Sequence, residues 1–334
     1  MKYRSLGNSG LMVSCLSLGS WVTFSKQLNQ REATDMMAFA FEKGINFFDN
    51  AEAYGEGKSE EVMGNALKEL KWDRSRYIVS SKVFWGGSQP IQLGHSRKRI
   101  IEGCHGALKR LGLDYLDLYY CHRRDPDTPI SEVVYAMNTL ISQGKILYWG
   151  TSEWSAFDIL EAIHFAKANG FVPPTMEQPQ YNLLEREKVE KEFLPLLSSY
   201  GLGLTTWSPL SSGILTNKYD GGIPDQSRLS LEHLNWLKDH FLGDQDKTKN
   251  ILAKTKKFSE LVQKDELETA PASIAWCLAN PHVSSVILGA SNIQQLSENL
   301  KSIDYLEYFN KEKCQEIEEI FLSRPEEVIN PKDY

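Results

Sequence analysis

Apolar positions along this chain follow two alternating rhythms. Short, nearly unbroken apolar runs occur at "CLSLGS" (15–20), "INFFD" (45–49), "YIVSSK" (77–82), "DLYYCH" (117–122), "ILYWGTS" (146–152), "TMEQPQY" (175–181), "GLTTWSP" (203–209) and "SSVILGAS" (284–291). Runs of this kind predict strands buried on both faces, as in a parallel sheet. Longer stretches with helical spacing lie between them, such as "QREATDMMAFAFEKG", "SRKRIIEGCHGALKRLG" and "PISEVVYAMNTLISQGK". In the first, Ala33, Met36, Met37 and Ala40 fall on one face, and each stretch closes near a glycine (Gly44, Gly112, Gly144). Ahead of the first run, "KYRSLG" and "LMVS" joined through Asn-Ser-Gly predict an N-terminal β-hairpin.

Eight strands alternating with helices predict an α/β fold, a (β/α)8 TIM barrel, over an open doubly wound sheet. A long loop is expected between the seventh and eighth strands, with "YDGGIPDQSRLSLEHLNWLKDHFLGDQ" (219–245) as an excursion that is part helical. No Ser/Gly linker interrupts the chain, so a single domain is expected: hairpin 1–14, barrel 15–305, C-terminal helix and tail 306–334.

Composition narrows the function classes. With 37 Lys and Arg against 44 Asp and Glu, the net charge of −7 offers no footprint for nucleic acid or an anionic membrane. An anionic small ligand would need local cations. The five cysteines are scattered without metal spacing, so no metal is expected and the thiols read as reduced. No run approaches about 18 apolar residues, and the start lacks a signal-peptide pattern, so a cytoplasmic protein without membrane insertion is expected.

Barrel chemistry gathers at the C-terminal ends of strands. Asp49, Lys82 and His122 end three successive apolar runs, and Tyr54 follows Asp49 in a glycine-bearing turn. Singly, each has an ordinary explanation as a cap, a snorkelling lysine, a structural histidine or a loop lid. Together they suit one task. A phenol, with a pKa near ~10, is a poor acid at neutrality. A neighbouring ammonium favours the phenolate, a carboxylate anchors the ammonium, and an imidazole N–H can orient a carbonyl. The later strand ends add Ser152, Gln178 and Ser208, and Gly289 to Ser291 precede a helix that Ser291 or Asn292 can cap, a geometry suited to phosphate. A Schiff-base aldolase using Lys82 is the competing barrel chemistry, though it leaves Tyr54 without a role.

The motifs "FFDNAEAYG", "IVSSKVFWGG", "DYLDLYYCHRRDPDTPI", "KILYWGTSEW", "EQPQYNLL", "TTWSPLSSGILTNKY" and "SSVILGASNIQQLSENL" occur in this order. They resemble the aldo-keto reductases, and most closely the voltage-gated potassium-channel beta-subunit branch. The resemblance implies NADP(H) as cofactor and NADPH-dependent reduction of small aldehydes or ketones. Tyr54 is then the proton donor, tuned by Lys82, which Asp49 anchors, while His122 orients the carbonyl. It implies cofactor contacts from Ser20, Trp21, Gln27, Asp49, Ser152, Gln178, Trp207, Ser208, Pro209, Leu210, Ser212, Gly213, Lys218, Arg228, Gly289, Ser291, Gln295, Glu298 and Asn299. Within this set, Lys218 and Arg228 match the basic pair beside the adenosine 2′-phosphate. It implies a substrate mouth lined by Trp21, Tyr54, Trp85 and His122. It also implies a homotetramer and, as the alternative role, an NADP(H)-binding regulatory subunit of a channel. Two positions depart from the channel branch. His122 replaces an Asn and is the residue of metabolic reductases, and Glu153 replaces an Arg that follows the serine.

Overall fold

A computed structural model describes residues 1–24, 27–225, 227–232 and 235–326, apart from the side chain of His240. The final eight residues of the predicted tail lie outside the described residues. Two compact units are formed. One comprises Met1–Pro179, Glu192–Trp207 and Pro281–Leu296, and the other comprises Gln180–Lys191, Ser208–Asn280 and Ser297–Tyr334.

The first unit contains a closed barrel of eight parallel strands. They are β3 (Leu16–Gly19), β4 (Phe47–Asp49), β5 (Ile78–Val83), β6 (Leu116–Cys121), β7 (Ile146–Thr151), β8 (Met176–Glu177), β9 (Gly203–Thr206) and β10 (Val283–Leu288). Every residue of β5, β6 and β10 is buried, as strands covered on both faces require. Helices α1 (Gln30–Glu42), α2 (Lys58–Leu70), α3 (Arg97–Leu111), α4 (Ile130–Ser142), α5 (Ala156–Ala168) and α6 (Leu194–Tyr200) follow successive strands. Their ends match the expected signals. Asn29 and Glu32 form a reciprocal capping box on α1, and Gly112 closes α3 in the left-handed conformation at φ 66°. The buried face of α1 holds Ala33, Thr34, Met36, Met37 and Ala40.

The expected hairpin pairs β1 (Tyr3–Ser5) with β2 (Met12–Ser14). Its Leu6 and Val13 are fully buried and join Phe47, Ile78, Leu118, Tyr120 and Met176 in one apolar cluster. Phe47, Ile78 and Met176 begin their strands, so the hairpin seals the N-terminal mouth of the barrel. Burying Leu6 and Val13 contributes about 2 kcal/mol each. Chemistry is left to the opposite rim.

The second unit takes up most of the long connection between β9 and β10. It contains α7 (Asn235–Leu242), α8 (Gln245–Lys264) and α9 (Thr269–Ala279). The excursion at 219–245 is part helical as expected, with a 3-10 turn at Arg228–Ser230 ahead of α7. After α10 (Ile293–Leu300), α11 (Lys311–Phe321) is the last helix among the described residues.

Candidate active site

Parallel register aligns the strand ends: Gly19 pairs with Asp49, Val83 with Cys121, Cys121 with Thr151 and Thr151 with Glu177. Backbone bonds carry the ladder one residue further. The N–H groups of Ser20, His122, Ser152 and Gln178 donate to the carbonyls of Asp49, Val83, Cys121 and Thr151. Tyr54 lies in the turn between β4 and α2. Its N–H donates to Ala51 at 3.0 Å, its carbonyl accepts from Ser59 at 3.2 Å, and Gly55 and Gly57 supply positive φ on the way into α2.

Lys82 is the centre of the cluster. Its buried ammonium donates to Asp49 Oδ2 at 2.6 Å, to the Asn50 carbonyl at 2.8 Å and to Tyr54 Oη at 3.1 Å. An ammonium has three donors, and all three are used. The other Asp49 oxygen accepts from the Ser80 hydroxyl at 2.7 Å and from Gln178 Nε2 at 3.1 Å. The carboxylate is therefore gripped twice from β5 and once from the residue after β8.

Burial acts on Lys82 against its charge, but Asp49 and then Tyr54 outweigh it and hold the lysine pKa above its ordinary value. Lys82 stays an ammonium, the opposite of what a Schiff-base nucleophile needs. For Tyr54 the balance differs from the sequence expectation. Burial raises its pKa and exceeds the lowering by Lys82, so the net shift is upward. The ring remains partly open to solvent. The hydroxyl keeps its proton, as a donor must. Burial, followed by the charges of Lys82 and Arg123, pushes the His122 pKa well below its usual value. His122 is thus a neutral imidazole, and its buried Nδ1 has no hydrogen-bond partner.

Aromatic rings surround these groups. His122 meets Tyr54 edge-on at 5.8 Å and Trp85 at 5.0 Å, and Trp21 lies 6.5 Å from Tyr54 and 6.3 Å from Trp207. Such a wall accepts planar apolar groups. The Trp207 indole N–H donates to Glu153 Oε1 at 3.0 Å. Ser152 donates to the Gln178 carbonyl at 2.9 Å and Ser20 to the Asp49 carbonyl at 3.0 Å, so Ser20, Ser152 and Gln178 adjoin the cluster. Gln27 sits in the turn beyond Trp21. Gly289 follows β10. Asn292 caps α10 through the Gln295 N–H at 2.9 Å, and the Gln295 side chain accepts from Ser291.

In the second unit, Ser208, Ser211, Ser212 and Gly213 all have positive φ, between 45° and 93°. Three serines in the left-handed region within six residues is concentrated backbone strain, and successive N–H groups in such turns form anion-binding concavities. Asn182 Nδ2 holds the Ser208 carbonyl at 3.0 Å and Tyr219 holds that of Ser212 at 3.1 Å, while Pro209 and Leu210 complete the turn. Gly213 is favoured here by its φ of 93°, which residues bearing a Cβ rarely adopt. Lys218 is an exposed residue whose ammonium lies over the Tyr219 ring, and partial burial and then the like charge of Arg228 lower its pKa. Glu298 and the buried Asn299 lie on the last turn of α10.

Several residues of these networks escaped sequence reasoning. Ser80, Asn50 and Asn182 act through one hydroxyl, one carbonyl and one amide, without a motif. A polar residue inside an otherwise apolar strand was the only available signal for Ser80.

The Aldo/keto reductase family model matches residues 15–321, and the chain belongs to this family of oxidoreductases. Two plant proteins are similar over nearly their whole lengths. The chain is 49% identical over 326 residues (97% of this chain, 98% of the other) to a "Probable voltage-gated potassium channel subunit beta" of Oryza sativa subsp. japonica. It is 47% identical over 335 residues, covering 100% of both, to a protein of the same description from Arabidopsis thaliana. Among the described residues no helix is long and apolar enough to cross a membrane.

Proposed function

We propose that the protein is a cytoplasmic, NADP(H)-dependent reductase of small aldehydes and ketones, with Tyr54 as proton donor. The observation that carries this reading is the 3.1 Å contact from Lys82 to the Tyr54 hydroxyl, made while Asp49 holds the same ammonium at 2.6 Å. A protonated phenol with a fixed cation beside it can give up its proton as negative charge grows on a carbonyl oxygen, because the cation stabilises the phenolate left behind. The neutral His122 can donate to that oxygen and orient it. Trp21 and Trp85 would limit water access and hold an apolar substituent.

The residues fit a phosphorylated dinucleotide. The left-handed Ser208–Gly213 turn suits a pyrophosphate, and a lysine whose proton affinity is lowered by burial and then by a nearby arginine suits an added phosphate. Lys218 and Arg228 would hold the 2′-phosphate, and Ser208, Leu210, Ser212 and Gly213 the pyrophosphate. Ser152 and Gln178 would hold the carboxamide and Trp207 the ring face. Gly289, Ser291, Gln295, Glu298 and Asn299 would hold the adenosine end. A bound nicotinamide dinucleotide would supply the hydride. The test is an oxidation screen of NADPH over a panel of carbonyl compounds, with NADH as control. Turnover of several aldehydes with NADPH is expected. No turnover across the panel, or a preference for NADH, would reject the reading.

A second role is favoured by the descriptions of the two plant relatives: a beta subunit of a voltage-gated potassium channel, to which the sequence resemblance adds a regulatory role and a homotetrameric ring. Capture on an immobilised channel cytoplasmic domain, with light scattering for the ring, tests it. Absence of enrichment removes the channel role and leaves the reductase standing.

A further inference from the structure

Residues 84–94 double back at the rim directly after β5. The Gly86 N–H donates to Gln92 at 2.9 Å, the Gly94 N–H donates to Phe84 at 3.0 Å, and Trp85 pairs with Leu93 as an antiparallel bridge. Two apolar side chains of the hairpin are open to solvent, Ile91 in the far turn at 67% exposed and Trp85 near the root at 41%. A short hairpin in solvent is marginal by itself, and among the described residues Trp85 has ring or cation contacts only with the Phe84 ring at 4.7 Å, the Arg123 guanidinium at 5.7 Å and one further ring. Yet Trp85 stands edge-on to His122 at 5.0 Å.

One ion pair grips both arms at their roots. Glu52, in the turn between Asp49 and Tyr54, accepts the Phe84 N–H at 2.9 Å. Arg99, in the first turn of α3, donates its Nε–H to the Gln92 carbonyl at 2.9 Å, and its Nη2 meets the Glu52 carboxylate. Both side chains are more than nine-tenths buried. Stability does not account for this pair. Burying two charges offsets most of their attraction, and a cation in the first turn of a helix faces the unfavourable end of the dipole. The chain nevertheless makes room for it. A Cβ at Gly86 or at Gly103 would run into the Arg99 guanidinium. The Glu52 N–H also donates to the Lys82 carbonyl at 3.3 Å, tying the pair to the strand that carries the lysine.

We propose that Glu52 and Arg99 are positioning residues that clamp the 84–94 hairpin and thereby set selectivity for carbonyl compounds bearing a planar apolar group, received by Trp85. The selectivity half rests on the reductase reading; the clamp half does not. Arg99→Lys keeps the charge but lacks the planar fork that reaches both Glu52 and Gln92, and Glu52→Gln keeps the shape. Amide hydrogen exchange is measured in both variants, together with kcat and KM for 4-nitrobenzaldehyde and propionaldehyde. Exchange at Gly86 and Gly94 is expected to quicken by about tenfold or more, with the β5 and β6 amides unchanged. The preference for the aromatic aldehyde is expected to fall about tenfold through its KM alone. Parental exchange in the hairpin overturns the clamp. Faster hairpin exchange with unaltered aldehyde preference overturns the selectivity. A uniform rise across the barrel in both variants makes the pair a plain brace and also overturns the proposal. If the parent reduces neither aldehyde, the reductase reading fails, and the exchange data still decide the clamp.

Discussion

Replacing Tyr54 with Phe removes one oxygen atom from the proposed site and tests its central bond. The hydroxyl is one of three acceptors for the Lys82 ammonium, at 3.1 Å; Asp49 and the Asn50 carbonyl, at 2.6 and 2.8 Å, remain. Lys82 therefore stays charged and in place, with one buried N–H left without its acceptor. The cost in stability is about 1–3 kcal/mol, the penalty of one unsatisfied buried donor. The cost in rate is of another order. Loss of a positioned general acid removes roughly 10²–10⁴-fold, or about 3–5 kcal/mol of barrier. The assay is single-turnover NADPH oxidation with 4-nitrobenzaldehyde, beside NADPH binding by fluorescence and a urea titration. A rate loss of at least about a hundredfold is expected, with cofactor affinity nearly parental and the urea midpoint lowered only by that stability cost. Since burial holds the Tyr54 pKa above its ordinary value, the parental reduction rate should be level through neutral pH and decline only in alkali, where the phenol ionises. A variant within about threefold of the parental rate would remove Tyr54 as the acid, because a factor that small lies below the ordinary contribution of a proton donor.

Three further outcomes follow from the same geometry. Lys218→Ala should raise the KM for NADPH by roughly tenfold or more, the worth of a charge-assisted contact, and leave that for NADH alone; equal change in both refutes a phosphate contact. Asp49→Asn should destabilise the fold by about 3–5 kcal/mol, as breaking a buried pair does, and a urea midpoint within experimental error of the parent would contradict the coupling seen at Lys82. His95 is fully buried, its Nε2 donates to the Val83 carbonyl at 2.9 Å, and burial lowers its pKa from 6.5 to about 4. Its stabilising contribution is complete above pH 6.5 and is lost as pH falls toward 4, because the unfolded chain binds the proton first. This amounts to about 3 kcal/mol. In His95→Gln the acid-side slope of stability should shrink by about one proton, and an unaltered slope would assign it to other groups.

The barrel was legible because strands buried on both faces must be written in apolar residues, and nothing in such a run competes with that reading. Where strand ends came out shorter than expected, backbone chemistry is the cause. Residues 175–181 read as one strand, but β8 stops at Glu177, since Pro179 has no N–H to continue a ladder. Residues 203–209 stop at Thr206, because the Trp207 N–H turns to the Pro179 carbonyl and Ser208 enters the left-handed region. The meeting of Asp49, Tyr54, Lys82 and His122 was legible for a related reason. An ionisable side chain that ends an apolar run has few places to go, and parallel register puts neighbouring run ends side by side.

What stayed hidden depends on volume rather than order. The proton affinity of Tyr54 illustrates the point. A lysine ending the apolar run that follows the one Asp49 ends says that a cation is near, and by that reasoning the phenol should be more acidic than usual. How much water the fold removes from the hydroxyl is a property of the whole enclosure, and here it outweighs the cation. The Glu52–Arg99 pair was equally invisible. Each residue taken alone reads as a solvated charge, and only the absence of side chains at Gly86 and Gly103 reveals that the fold keeps a place for the guanidinium. Charge hidden in this way, at a desolvation cost that a leucine in the same position would avoid, is best understood as geometry maintained for the rim above it.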